Sequence, residues 1–316
     1  MGEGVTCVGG MVADLLARPV RNLPTPGRLE LVREMALAPG GCALNTASAL
    51  ARLGVTARLV GKTGADGLGD YLLQTLTDRG VDVAGVQRSE TVGTSASMVL
   101  VYEGGERGFV HTYGATAEFR AADIDWSVAG RSRIFFVGQA LLLPGFDGEP
   151  AAWALAEARR RGLITVMDTV WDATGAWLAK IGCCLEHLDY FVPSYDEARA
   201  MTGLSEPPAI ARFFRNRGVR TVGIKLAERG CYLADEEGEF WVDGFTVDAV
   251  DTTGAGDAWV GGFLAGILQG LPLPAAGRLG NAVGALCVTG LGAYAGIRNL
   301  AETQAFMAAH EGGDGR

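Results

Sequence analysis

Asp251-Thr-Thr-Gly-Ala-Gly-Asp-Ala258 runs directly into the apolar stretch Trp259-Val-Gly-Gly-Phe-Leu264. Gly254, Ala255 and Gly256 are small enough to let backbone approach a ligand closely. The first amides of a helix lack internal acceptors, and the helix dipole adds positive potential at that end. A helix opening at 254–257 is therefore an anion site suited to a phosphate. Asp257 falls in its first turn. A carboxylate there disfavours plain anion binding. It suits a base that takes a proton from a hydroxyl attacking a phosphoryl group. Capping the helix is the other role open to it.

A second glycine-led segment lies far upstream: Gly40-Gly41-Cys-Ala-Leu-Asn45-Thr-Ala47, continuing to Arg52-Leu53-Gly54. In the helix that it opens, Ala43, Ala47 and Leu50 share one face. Asn45 falls opposite, with Ser48 and Arg52, so helical geometry alone sends it to solvent. A functional role would instead present its amide, with exposed backbone N–H groups of the glycine pair, to a polyol.

Around these segments, short β-branched or aromatic runs alternate with Ala/Leu-rich stretches. Strands are predicted at Thr6–Gly9, Arg58–Gly61, Ile134–Val137, Ile164–Asp168, Tyr190–Val192 and Thr221–Lys225. Helices are predicted at Cys42–Leu53, Leu68–Arg79, Pro150–Arg161, Asp196–Thr202, Ala209–Asn216, Asp257–Gln269 and Ala275–Thr289. Alternation of this kind signals βαβ units: an α/β fold with a mostly parallel sheet flanked by helices. Ligands of such folds sit beyond the carboxyl ends of the strands. Two segments break the pattern. Residues 14–39 carry Pro19, Pro24, Pro26 and Gly27, and 94–113 reads as a hairpin turning at Glu103-Gly-Gly-Glu106. Together they are expected to form a small β-lid inserted in one domain spanning 1–316. His111 and Tyr113 alternate on the hairpin and face one side, where they become sugar contacts if that side faces the site. Gln139, at a strand end, is a further candidate. The tail beyond His310 is expected to be disordered.

Composition narrows the class. The net charge of −9 over 316 residues argues against nucleic acid as a partner, because phosphate neutralisation dominates that affinity. Six cysteines and three histidines form no metal-ligand spacing, and a chain without a secretory segment is expected to be cytoplasmic with reduced thiols. From Ala258 to Ile297 the only charge is Arg278. Gly261, Gly262, Pro272 and Pro274 break this run into two buried helices, not a membrane hairpin. Gly61-Lys62-Thr63 lacks the upstream glycine of a P-loop, since Thr56 stands there. Gly254-Ala-Gly256 has Trp259 where a dinucleotide fingerprint needs its third glycine, which weakens a dehydrogenase reading.

The two glycine-led segments, in this order, resemble the paired signatures of the ribokinase-like (PfkB) carbohydrate kinases: Gly40-Gly41-x-x-x-Asn45-x-Ala47 and Asp251-Thr-Thr-Gly-Ala-Gly-Asp257. The resemblance extends from Gly9-Gly10 to the 290–292 loop. It implies an ATP- and Mg2+-dependent sugar kinase, and a homodimer. Asp257 matches the catalytic base, and the 254–257 backbone matches the anion hole. Asp14, Gly40, Gly41 and Asn45 match sugar contacts. Lys225, Gly230 and Asn281 fall where the family encloses adenine and ribose. Glu197 matches the acidic end of Asn-x-x-Glu, linked to magnesium, with Ser194 in place of the Asn. Asp251, Thr253, Cys287 and Gly292 fall where some members hold K+. Other departures are Ala227 within Lys225-Leu-Ala-Glu-Arg-Gly230, and Asp168-Thr-Val-Trp-Asp172, which lacks the Arg of acid-sugar kinases. A nucleoside (adenosine-like) kinase is one alternative, and a catalytically silent ligand-binding sensor of the same fold is another.

Overall fold

The computed structural model describes residues 2–23, 25–103 and 106–310. The tail beyond His310 and both glycines of the expected 103–106 turn lie outside them. In chain order, β1 (Val5–Val8), β2 (Val12–Val20) and β3 (Glu34–Gly40) precede α1 (Cys42–Arg52). Next come β4 (Ala57–Gly64), α2 (Gly67–Asp78), β5 (Asp82–Ser89), β6 (Ala96–Tyr102) and β7 (Arg107–Thr112). The short α3 (Trp126–Ala129) leads to β8 (Ile134–Ala140), α4 (Glu149–Arg160), β9 (Ile164–Thr169), α5 (Leu178–Ile181) and β10 (Tyr190–Phe191). Then α6 (Tyr195–Thr202), α7 (Pro207–Arg215) and β11 (Thr221–Lys225) are followed by β12 (Cys231–Ala234) and β13 (Glu239–Val242). The helices α8 (Ala255–Leu268), α9 (Leu273–Cys287) and α10 (Leu300–Ala309) come last.

Nine strands form the main sheet in the order β13-β12-β11-β10-β9-β8-β1-β4-β5. It is parallel from β11 to β5, and β12 joins both of its neighbours antiparallel. β8 is buried at every residue, as a strand covered on both faces must be. One apolar cluster packs α4 and α7 against the sheet. The other holds α1, α8 and α9. Glycines set the approach of α8 to α9: a Cβ at Gly262 would lie 2.8 Å from the Leu279 carbonyl oxygen, and one at Gly266 2.8 Å from Ala276 Cα. Among the described residues, no helix is long and apolar enough to cross a membrane.

The predicted strands and helices match the elements to within two residues at most ends. Segments 14–39 and 94–113, expected to form a small β-lid, supply β2, β3, β6 and β7 of a second, four-stranded sheet ordered β3-β2-β6-β7. β3 is an edge strand, so the missing N–H of Pro39 leaves no ladder bond broken. β5, β12, β13 and α10 carried no periodic apolar signal strong enough to predict.

Register assigns each face of the smaller sheet. Ala38, Asp14, Ser97 and His111 form a row across one face. Leu37, Leu15, Met98 and Val110 form the adjacent row, pointing the opposite way. Met98, Val110, Leu37 and Met35 on that second face are exposed.

Candidate active site

Two helices begin at the carboxyl edge of the parallel strands. Gly41 caps α1 at φ 98°, and a Cβ there would lie 2.4 Å from the Gly10 carbonyl oxygen. Gly254 caps α8 in the left-handed region at φ 74°. Both positions require glycine. From α1, Asn45 Nδ2 donates to Asp257 Oδ2 at 2.8 Å, and Thr46 Oγ1 donates to the Asp257 carbonyl oxygen at 3.2 Å. Asn45 is therefore not the solvent-facing residue that the helical projection predicts. It is buried, because the start of α8 packs beside α1 and places Asp257 against it. Its amide is engaged by Asp257 and not held out towards a sugar alone.

Burial pushes the Asp257 carboxyl above its ordinary range, while the Asn45 hydrogen bond and the Lys225 charge pull it back in part. Lys225 ends β11, and its Nζ would lie 3.6 Å from a Cβ placed on Gly256. It pairs with Asp168 at the end of β9. Burial opposes its charge, but Asp168, Glu197 and Asp257 outweigh that effect and hold the ammonium cationic. Geometry thus brings Lys225 beside the 254–257 loop. From sequence, Asp168 stands out only as the first residue of Asp168-Thr-Val-Trp-Asp172, with no role in the site. Its place at the end of a parallel strand was the available signal.

Asp14 and Gly40 are packed together: a Cβ on Gly40 would meet Asp14 Oδ2 at 2.2 Å. Burial raises the Asp14 carboxyl, opposed by a hydrogen bond from Ser97. Gln139 takes φ 70°, a costly backbone for a non-glycine residue, and accepts the Cys42 N–H at 3.3 Å. His111 shares a 3.1 Å hydrogen bond with Ser97 and meets the Tyr113 ring edge-to-face, with centroids 5.4 Å apart. Both therefore lie on the Asp14 side of the smaller sheet. Phe109, missed in the sequence, has the same parity and is exposed.

Gly230 and Asn281 converge on one loop. A Cβ on Gly230, at φ 91°, would lie 2.1 Å from the Val242 carbonyl oxygen. Asn281 Nδ2 donates to the Val242 and Asp243 carbonyls at 2.9 Å each, and its Oδ1 accepts Trp259 Nε1–H at 2.7 Å. Its polar atoms shape the wall of the site. A cavity of about 530 Å³ adjoins that loop, lined by residues 241–246 with Pro274, Ala275, Arg278 and His310.

Ser194 caps α6. Its Oγ accepts the Glu197 N–H at 3.4 Å, while Glu197 Oε2 accepts the Ser194 N–H and the Thr169 hydroxyl at 3.0 Å each. Among the described residues, no group of three or more side chains makes a metal cage. Magnesium seldom uses one, being held by a carboxylate or two together with phosphate oxygens and water. Glu197 and Asp168 fit that donor set. The residues matched to K+ are also together, but their donors and acceptors are engaged with one another. Asp251 Oδ1 accepts the Thr253 N–H and hydroxyl at 2.9 and 2.7 Å, and Arg107. Asp251 Oδ2 accepts the Gly292 N–H at 2.9 Å, and the Cys287 thiol donates to the Thr253 carbonyl at 3.7 Å. A cation drawing on that carboxylate would displace these donors.

The family model described as pfkB family carbohydrate kinase matches residues 3–300. This chain belongs to that family, and it is a sugar kinase. Rice (Oryza sativa subsp. japonica) Fructokinase-2 is 28% identical, with 84% of each chain covered. The 2-dehydro-3-deoxygluconokinase of Bacillus subtilis is 29% identical, with 90% of each covered. Arabidopsis thaliana ribokinase, solved with ribose and ATP, shares the fold at a TM-score of 0.86 and 21% identity, covering 97% of this chain and 99% of its own.

Asn281→Ala leaves one indole N–H and two carbonyls without their partner. We expect a loss of at least about 3 kcal/mol in unfolding free energy, read from denaturant midpoints, at about 1–3 kcal/mol for each of the three groups. An unchanged midpoint would show that the wall does not depend on this amide.

Proposed function

We infer that the enzyme transfers the γ-phosphoryl group of MgATP to a primary hydroxyl of a monosaccharide. The observation that carries this reading is the Asp257 carboxylate, fixed by Asn45 in the first turn of α8, the end of a helix that favours an anion. Fructokinase and 2-dehydro-3-deoxygluconokinase relatives, and a ribokinase of the same fold solved with ribose and ATP, support it.

Asp14, with the backbone around Gly40 and Gly41, binds sugar hydroxyls. Asp257 accepts the proton of the attacking hydroxyl. The new bond joins that oxygen to the γ-phosphorus, and the bond to the bridging oxygen of ADP breaks. Amides at 254–257 and the Lys225 ammonium take up charge on the transferring group. Magnesium, when bound, screens the phosphates, with Glu197 and Asp168 as its protein-side anions. The four-stranded sheet serves as a lid that excludes water. Its apolar outer face, with Leu37, Met98 and Val110 exposed, supports a homodimer formed lid to lid.

Asp257→Asn is expected to lower turnover by about 10²–10⁴-fold while leaving sugar binding measurable by calorimetry. ADP release over aldoses, ketoses, sugar acids, phosphosugars and nucleosides identifies the acceptor. Near-normal turnover in the variant would refute the mechanism. Release with nucleosides alone would move the acceptor.

The Asn45 amide favours ionised Asp257, so its removal raises the carboxyl further. The acid limb of kcat/KM, already above the usual carboxylate range of about 4, is expected at still higher pH in Asn45→Ala. An acid limb unchanged from wild type would sever the link.

Leu37→Asp places a charge in the outer apolar row. Sedimentation is expected to give a dimer for wild type and a monomer for this variant. A monomeric wild type would remove the dimer.

A further inference from the structure

Arg107 opens β7 in the smaller sheet, and its side chain leaves that sheet for the loop before α8. There Nη2 donates to Asp251 Oδ1, and Nη1 donates to the Thr253 hydroxyl. The side chains of Arg107 and Asp251 are 25% and 6% exposed, so the pair is largely withdrawn from water. Burial opposes ionisation of Asp251, yet its hydrogen bonds from Thr253, Gly292 and Arg107 hold it below the usual carboxylate range. One carboxylate thus joins three segments: the start of β7, residues 251–253 and Gly292.

The next residue along is Gly254, the left-handed cap of α8. A Cβ there would lie 2.3 Å from the Ala293 Cβ, so the cap is also wedged against the segment that Gly292 anchors. The amides proposed to receive the phosphoryl group follow immediately. Their position depends on the 251–253 loop, and Arg107 is the lid's hold on that loop. Desolvating an ion pair gains little stability unless the geometry is good. Here the pair's consequence is positional, because it links an insertion to the start of a catalytic helix.

We propose that Arg107 is a positioning residue for phosphoryl transfer: it fastens the lid to the 251–253 loop, so that the lid shuts only over a correctly placed anion hole. The proposal rests on the kinase reading above. When the fastening is lost, the lid and loop move apart and water competes with the sugar hydroxyl. In that side reaction the water oxygen bonds to the γ-phosphorus, the bond to ADP breaks, and inorganic phosphate leaves.

The test uses the full chain with Arg107→Ala and Arg107→Lys. Amide hydrogen exchange without ligands reads the coupling. Residues 107–112 and 251–256 are expected to lose protection together in Arg107→Ala, and to recover in part in Arg107→Lys. ADP and phosphate release with MgATP, with and without the sugar acceptor, read the chemistry. In Arg107→Ala the sugar kcat/KM is expected to fall about tenfold or more, at about 1.4 kcal/mol per tenfold. The share of ADP accompanied by free phosphate is expected to rise. Unchanged exchange at 251–256 in Arg107→Ala would overturn the coupling. Altered exchange with an unchanged phosphate share would overturn the positioning role. Should Arg107→Ala not fold, Arg107→Gln takes its place under the same criteria. A wild type that transfers phosphoryl to no acceptor would refute the kinase reading alone, since the exchange measurement judges the coupling independently.

Discussion

The hydrogen bond from Asn45 to Asp257 is the contact on which the site depends. It joins the first turns of α1 and α8, which the chain separates widely and the fold packs side by side. Each helix can start where it does only because a glycine precedes it: Gly41 against Gly10, and Gly254 against Ala293. A side chain at either cap would push a helix start away from the strand ends. The carboxylate would then lose the amide that fixes its orientation and moderates its proton affinity.

Charge in the site is arranged around this contact. Asp168, Glu197 and Asp257 bear on the Lys225 ammonium and favour its charge, while burial raises the Asp168 carboxyl to about 7 and raises Asp257 as well. Carboxylates gathered in a low-dielectric site repel one another unless cations join them. The glycine at 256 leaves room for the ammonium beside the backbone that an anion would occupy.

The smaller sheet serves two different surfaces because strand pleating sends alternate residues opposite ways. Asp14 and Ser97 turn to the site, while Leu37, Met98 and Val110 turn outward. A register slip of one residue would exchange the two faces and remove Asp14 from the site. Thus the same pairing that gathers Asp14, Ser97 and His111 on one face also creates the apolar row on the other.

Most of the α/β layout was legible in the sequence, because buried parallel strands and Ala/Leu-rich helices carry strong local signals. The site's two glycine-led helix starts were equally legible, since Gly40-Gly41 and Gly254-Ala-Gly256 demand backbone freedom that glycine supplies. Segment 14–39 was legible as part of a β-lid but not as two particular strands, because its prolines punctuate the apolar pattern: Pro19 falls in β2 and Pro39 in the edge strand β3. Helical projection alone sends Asn45 to solvent, for a projection cannot know that a second helix starts beside that face. Arg107 gave no local sign, and Asp168 gave only its place at a strand end, because a single charged residue acquires meaning only from the partner that the fold brings to it. The sequence by itself therefore determined where backbone could bend and which residue types stood at the helix starts. Only the tertiary structure decided which charges meet, because pairing across a fold depends on distance in space and not on spacing along the chain.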